Sequence, residues 1–311
     1  MATPTLQDLP APPPDKTGWP WTEQSDPLPE TQPDGSPWPK ISIVTPSYNQ
    51  GQFIEETIRS VLLQGYPDLE YIVMDGESTD ESVEIIEKYE PWIDYWVSEE
   101  DEGQSDAINK GLDQATGELY AWLNSDDYYA SGALWAVAEG FQNADPDVGA
   151  LVGTAHKVDP TGKVIYTPDA EHLEFEDLLR WRENNFMQPG CFFRRSAWEE
   201  AGPLREDLYY CLDVDLWLRM AKKKRFKRIE QTLAYAYEHS NAKTAAHIPR
   251  MRAETALIVS EHGGYEVARQ DLFEMANQLH FYNRLAQRIT QNPLYRFLGP
   301  IYRQIRQWLL R

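Results

Sequence analysis

The sequence predicts an α/β fold: a mainly parallel sheet flanked by helices, with a helical C-terminal extension. Two observations predict it. From Lys40 to about Asp145, short apolar runs alternate with amphipathic segments of helical spacing, the pattern of βαβ units. From about Ile248 to the end, the apolar residues keep helical spacing.

Taken in order, "KISIVTPSYN" reads as a buried strand running into a turn. "QFIEETIRSVLLQ" follows as a helix, with Phe53, Ile54, Ile58, Val61 and Leu62 at helical spacing. "LEYIVMDG" is a second strand. "STDESVEIIEKY" is a helix opened by Ser78, with Glu81 three residues on in a capping-box pattern. "DYWVSEE" is a third strand, and "QSDAINKGLDQA" a helix with Ala107, Ile108, Gly111 and Leu112 on one face. "ELYAWLN" is a fourth strand and "SGALWAVAEGF" another helix. Beyond Asp145 the alternation loosens. "GALVGTAHKVDPTGKVIY" reads as a hairpin turned at Asp159, Pro160, Thr161 and Gly162. "FMQPGCFFRR" and "FKRIEQTLAYAYEH" are later strands around the helix "DVDLWLRMAKKK".

Residues 1–39 hold 11 of the 22 prolines, with Trp19, Trp21 and Trp38 among them. That composition excludes helix and central strand, so the segment reads as an extended, largely unpacked arm with no catalytic role, with its tryptophans as the groups to pin it onto the domain. Residues 40–245 form the main domain, with halves at 40–130 and 131–245, and residues 246–311 the helical C-terminal region.

The chain carries 50 acidic against 29 basic residues, a net charge of −21, which argues against nucleic-acid binding. Two cysteines, Cys191 and Cys211, suit a reducing cytoplasm. The start "MATPTLQDLPAPPPDKTG" has no basic segment followed by an apolar core, and no run approaches the roughly 20 apolar residues that span a bilayer. The expectation is a soluble cytoplasmic protein, at most resting on a membrane surface.

In an open parallel sheet, ligands bind outside the carboxyl ends of the strands. After the first strand come Pro46, Ser47, Tyr48 and Asn49; after the second, Asp75 and Glu77; after the third, Glu99, Glu100 and Asp101; after the fourth, Asn124, Ser125, Asp126 and Asp127. Any one of these acids is as readily a helix cap. Acids after three successive strands on one rim point to a ligand. The first strand is followed by no G-x-G-x-x-G, and the chain holds no G-x-x-x-x-G-K-[ST]. Phosphates here would need a hard divalent cation, Mg²⁺ or Mn²⁺, which takes oxygen ligands and bridges a diphosphate to carboxylates. Such an ion would also reconcile the adjacent, mutually repelling Asp126 and Asp127.

The ordered set "VTPSYNQGQFIEETIRSVLLQ", "YIVMDGESTDES", "DEGQSDAINKGL" and "YAWLNSDD" resembles the nucleotide-sugar half of a family-2 glycosyltransferase of GT-A (Rossmann-like) fold. "MQPGCFFRR", "LDVDLWLRM" and "YEHSNAKT" resemble its acceptor half, so the resemblance covers about residues 40–245. It implies that Tyr48, in the turn with Pro46 and Asn49, stacks on the nucleobase and that Asp75 accepts a hydrogen bond from it. Asn124, Ser125 and Asp126 stand where the family has its D-x-D. Asp126 would bind the metal, Asn124 contact the ribose, and Asp127 support the metal site. His239 matches a family histidine facing the metal or diphosphate, and Lys243 would neutralise phosphate. Asp213 matches the second acid of a Glu-Asp pair and would be the catalytic base; Asp215, two residues on, reads as first-turn helix stabilisation. Asp106 suits capping and donor binding equally, and Gln188 falls in the acceptor loop. Three positions depart from the pattern: Asn124 replaces an aspartate, Leu212 a glutamate, and Ile108 an arginine found in some relatives.

"KKKRFKR", residues 222–228, reads as favourable charge at a helix C-terminus. Residues 276–311 carry six arginines and no acid, with Leu294, Leu298, Ile301, Ile305, Trp308 and Leu309 on one helical face. That pattern suits a helix on an anionic membrane, at the inner face of the cell membrane, and equally one packed on the domain or in a homodimer. The expected activity is inverting, metal-dependent transfer of a sugar from a nucleoside-diphosphate donor, a UDP-sugar favoured, to a hydroxyl on a glycan or lipid-linked sugar in surface-polysaccharide synthesis. The alternatives are a sugar-phosphate nucleotidyltransferase, which would need a basic loop after the first strand, and an inactive nucleotide-sugar-binding protein.

Overall fold

The computed structural model describes residues 3–168, 171–239 and 247–291. Lys243 and the apolar positions from Leu294 to Leu309 lie outside the described residues. The first half runs β1 (Ile41–Ser47), α1 (Ile54–Leu62), β2 (Leu69–Asp75), α2 (Ser82–Tyr89), β3 (Tyr95–Ser98), α3 (Gln104–Gln114) and β4 (Leu119–Trp122). The second adds β5 (Asp127–Tyr129), α4 (Ala133–Gln142), β6 (Val148–Val158), β7 (Val164–Tyr166), α5 (Phe175–Leu178), β8 (Cys191–Arg194), α6 (Arg195–Ala201), α7 (Leu212–Ala221) and β9 (Arg225–Tyr237). Two helices, α8 (Ile248–Glu261) and α9 (Tyr265–Gln291), follow.

The strands form one sheet in the order β3-β2-β1-β4-β8-β6-β9-β5, with β7 paired to β6. The first four strands pair in parallel, as the βαβ pattern requires. The long β6–β9 ladder is parallel too, whereas β8 runs antiparallel between β4 and β6. Side chains alternate between two cores, because successive residues of a strand face opposite sides. Ile41, Ile43, Tyr71, Val73, Leu119 and Ala121 pack with α1, α2 and α4. Val44, Ile72, Met74, Tyr120 and Trp122 pack with α3, α7 and α8 on the other face. Helix α3 lies very close to the sheet at Gly111: a Cβ there would meet Val44 Cγ1 at 2.5 Å.

Two expectations need correcting. The arm is extended but packed: Leu9, Trp21 and Trp38 are buried. What holds it is Arg59 of α1, fully buried, whose guanidinium donates to the carbonyls of Pro10 (2.8 Å), Pro20 (3.1 Å) and Trp21 (3.0 Å). Second, Ser78 does not cap α2, which begins four residues later. The carboxylate of Asp75 takes the Ser78 hydroxyl instead, at 2.6 Å, and Asp80 accepts from the backbone N–H of Ser82 at 2.9 Å.

Candidate active site

The parallel register brings the ends of β1, β2 and β3 level, pairing Ser47 with Asp75 and Asp75 with Ser98. Asp75 is buried and fixed from three sides: it accepts from Ser78 N (2.9 Å), Ser78 Oγ (2.6 Å) and Ser98 Oγ (2.7 Å). Its place is thus set before any ligand arrives. Tyr48, just beyond β1, is 63% exposed and offers an aromatic face at this rim. Asn49 adopts a left-handed φ of 53°, and its side chain accepts the Thr79 N–H at 2.9 Å, tying the β1 turn to the β2 loop. Pro46 is buried within β1 opposite Met74, beneath the turn that carries Tyr48 and Asn49. Gly76 sits under Asp101: a Cβ would meet Asp101 Oδ2 at 2.4 Å.

After β4 the chain turns sharply, with Asp127 N–H bonded to Asn124 O at 3.0 Å. The Asn124 amide accepts from Gln104 Nε2 (2.8 Å) and donates to Asp127 Oδ2 (3.2 Å). Asp126 keeps a partly exposed carboxylate, and His239 Nε2 stands 2.9 Å from its Oδ2. The imidazole is backed by the Phe53 ring, 4.6 Å away between centroids. The two acids of the turn are therefore unlike. Asp127 is buried; burial first, then the charge of Asp126, push its carboxyl well above the usual carboxylate range, against the pull of the Asn124 hydrogen bond. Its carboxylate supports the turn from within, taking the Asn124 amide N–H. Ser125 is likewise buried and contributes its carbonyl to the interior. Asp106 accepts from Glu102 N–H at 3.0 Å and pairs with Lys110 at 2.9 Å, which ties the loop before α3 to that helix.

On the acceptor side, Asp213 lies half-buried in the first turn of α7, with Oδ1 accepting from Val214 N–H at 2.9 Å. It is close enough to β8 that its charge adds to burial in raising the Cys191 thiol. Gln188, in the single 3-10 turn before β8, donates to Trp122 O at 2.7 Å, while its buried Oε1 has no hydrogen-bond partner. Asp215 is committed elsewhere: it pairs with Arg219 at 2.8 Å and His262 at 3.0 Å, locking α7 to the end of α8. Sequence reasoning missed two contributors. Phe53 reads as core from its helical spacing, and Gln104 as a polar helix residue; Gln104's place beside Gly103 in the opening turn was the available signal.

Among the described residues, no group of three or more His, Cys, Asp or Glu side chains is arranged to hold a metal by itself. Asp126 and His239 nevertheless fit a hard divalent ion of the kind that uses one or two protein ligands and completes its shell with substrate phosphates and water. No described helix is long and apolar enough to cross a membrane.

A family model described as glycosyl transferase family 2 matches residues 42–202. The chain is 37% identical, over 60% of its length and 62% of the relative's, to a GalNAc(5)-diNAcBac-PP-undecaprenol beta-1,3-glucosyltransferase of Campylobacter jejuni. Among solved structures it resembles Staphylococcus aureus TarS 1-349 in complex with UDP-GlcNAc, with TM-score 0.57, 19% identity, and 70% of this chain and 66% of that one covered. It also resembles the mannosyltransferase PcManGT of Pyrobaculum calidifontis in complex with GDP-Man and Mn²⁺, with TM-score 0.54, 20% identity, and 89% and 86% covered.

Proposed function

The chain belongs to glycosyl transferase family 2, and we propose that it is an inverting, metal-dependent enzyme moving a sugar from a nucleoside-diphosphate donor to a hydroxyl acceptor. The observation that carries this reading is the 2.9 Å approach of His239 to Asp126 at the β4 end of the rim, with the pre-set Asp75 and the exposed Tyr48 at the β1 and β2 ends. Tyr48 stacks on the base and Asp75 accepts one of its N–H groups. The Asn124 amide, which Gln104 orients, contacts a ribose hydroxyl in this reading. Asp126 and His239 would hold a divalent ion, Mn²⁺ or Mg²⁺, which would supply charge stabilisation for the leaving diphosphate. Asp213 takes the proton from the acceptor hydroxyl as that oxygen bonds to the anomeric carbon and the bond from that carbon to the diphosphate oxygen breaks. One in-line displacement inverts the anomeric centre.

The donor class favoured is a UDP-sugar, and the acceptor a glycan or lipid-linked sugar in surface-polysaccharide assembly at the inner face of the membrane. The likeness to a glucosyltransferase named for an undecaprenol-linked acceptor supports that class. Thermal unfolding with UDP, GDP, dTDP, ADP and CMP, each with and without Mn²⁺, tests the donor half without an acceptor. A native-state ligand at a hundred times its Kd stabilises by about 2.7 kcal/mol. We expect a rise with UDP that EDTA abolishes. No rise with any diphosphate would overturn the reading, and binding without turnover would make the protein a nucleotide-sugar binder instead, as the replacements at Asn124 and Leu212 would allow.

A further inference from the structure

Strand β5 carries the turn that presents Asp126, yet among the described residues it pairs with a strand on one side, through β9. Its other edge is satisfied by side chains. Thr57 Oγ1 of α1 donates to the carbonyls of Ser125 (2.9 Å) and Asp127 (2.7 Å), one hydroxyl proton shared between two acceptors. Ser60 Oγ accepts the Tyr129 N–H at 3.0 Å and donates to Thr57 O at 2.8 Å. Gln64, just past the helix, donates to Ala130 O at 2.9 Å and accepts the Leu134 N–H at 3.3 Å. From outside, Trp19 of the arm donates its indole N–H to Tyr129 O at 2.7 Å.

Thr57, Ser60 and Gln64 recur every three to four residues and so share one helix face. All three are buried, at 1%, 0% and 2% exposure. A polar stripe on a helix face that packs into an apolar core has no hydrophobic benefit to offer. Each of these groups is instead paired with backbone of residues 125–134, so the stripe acts as a substitute for the missing neighbouring strand. The same helix carries Phe53 at its N-cap position, behind His239, so α1 touches both proposed metal ligands' supports.

We infer that Thr57 is a positioning residue: through the carbonyls of Ser125 and Asp127 it fixes the carboxylate of Asp126 where the metal–diphosphate must meet it. The inference rests on the transferase reading for the identity of the ligand, but its structural part does not. Two readouts separate them. The first is amide hydrogen exchange of residues 123–130 in the ligand-free protein. The second is the Mn²⁺ concentration giving half-maximal UDP-dependent stabilisation.

For Thr57→Val, which keeps shape and removes the donor, we expect exchange of that segment to rise about tenfold or more. Half-saturation by Mn²⁺ should rise roughly tenfold, as when groups orienting a metal ligand are lost. Thr57→Ser should restore both. Should the valine variant not fold, Ser60→Ala, which removes the acceptor of the Tyr129 N–H and the donor to Thr57 O, is read the same way. Unchanged exchange overturns the inference, and so does a general fall in melting temperature with unaltered Mn²⁺ half-saturation. A wild-type protein that binds no nucleoside diphosphate refutes the transferase reading instead, and the exchange result then still decides whether Thr57 holds the turn.

Discussion

Replacing Arg59 with leucine should detach the proline-rich arm and cost about 3–5 kcal/mol, from the several buried acceptors left without their charged donor. The magnitude follows from two routes the variant can take. If the arm stays in place, the carbonyls of Pro10, Pro20 and Trp21 and the Tyr89 hydroxyl lose a guanidinium donor that now reaches them at 2.8–3.1 Å. Hydrogen bonds to a charged group contribute about 1.5–3 kcal/mol each, though not additively. If the arm peels away, those groups find water, but Leu9 and Trp21 leave the core, at about 1.5–3 kcal/mol for each large apolar side chain. The cheaper route sets the loss, and both lie in the same range. Urea unfolding measures the energy, and trypsin distinguishes the routes, because Lys16 lies between the Pro10 and Pro20 carbonyls that Arg59 holds, so its cleavage quickens when the arm detaches. The second route predicts rapid cleavage after Lys16. Arg59→Lys should recover less than half of the loss, since an ammonium cannot fork to several carbonyls. A loss below about 1 kcal/mol with the Lys16 bond still protected would refute the account of Arg59 as the arm's anchor.

Asp213→Asn keeps the Val214 N–H contact and should lower kcat by about 10²–10⁴ while leaving UDP- and Mn²⁺-dependent stabilisation intact; near-normal turnover would move the base elsewhere. Tyr48→Ala removes an exposed ring, so its melting temperature should hold while the donor KM rises, consistent with a stack of about 1–3 kcal/mol. Tyr48→Phe should behave as wild type, and an unchanged KM in the alanine variant would count against stacking. Burial alone would raise the Asp215 pKa, but His262 and Arg219 together hold it below the ordinary value. A depressed carboxylate contributes stability above its unfolded value of about 3.9, lost as pH falls through the folded one. Melting temperatures of Asp215→Asn should therefore lose part of the wild-type decline below about pH 4, and an identical acid decline would exclude Asp215 as a source of it.

What could be read from the sequence follows the range over which each interaction acts. Strands β1 to β4 and helices α1 to α3 were legible because periodicity and turn residues are local. The three-residue β5 was not, since the edge it turns away from β9 is bonded by Thr57 and Ser60, about 70 positions earlier. Proline content correctly excluded regular structure in the arm, yet says nothing about burial; carbonyls freed from any ladder became acceptors for Arg59. The Ser78 capping box failed because a nearer carboxylate, Asp75, competed for the same hydroxyl. At the rim, the strand-end acids were visible as a pattern. The partnership of Asp126 with His239, 113 residues apart, came only through resemblance to a family.

The turn from Asn124 to Asp127 shows how adjacent carboxylates are tolerated before any cation arrives. Two ionised neighbours would repel, and a third acid at position 124 would add to the strain. The chain avoids this by making the three side chains different. Position 124 is an amide that donates to Asp127 and accepts from Gln104. Asp127 is buried, which disfavours its charged form, while Asp126 keeps a partly exposed carboxylate that faces His239. Replacing aspartate by asparagine at 124 thus removes a carboxylate that could ligate the ion but also removes a competitor for charge. On that argument the departure from D-x-D is compatible with a working site, because the ion needs one well-placed carboxylate and a diphosphate more than it needs a second acid held against the first.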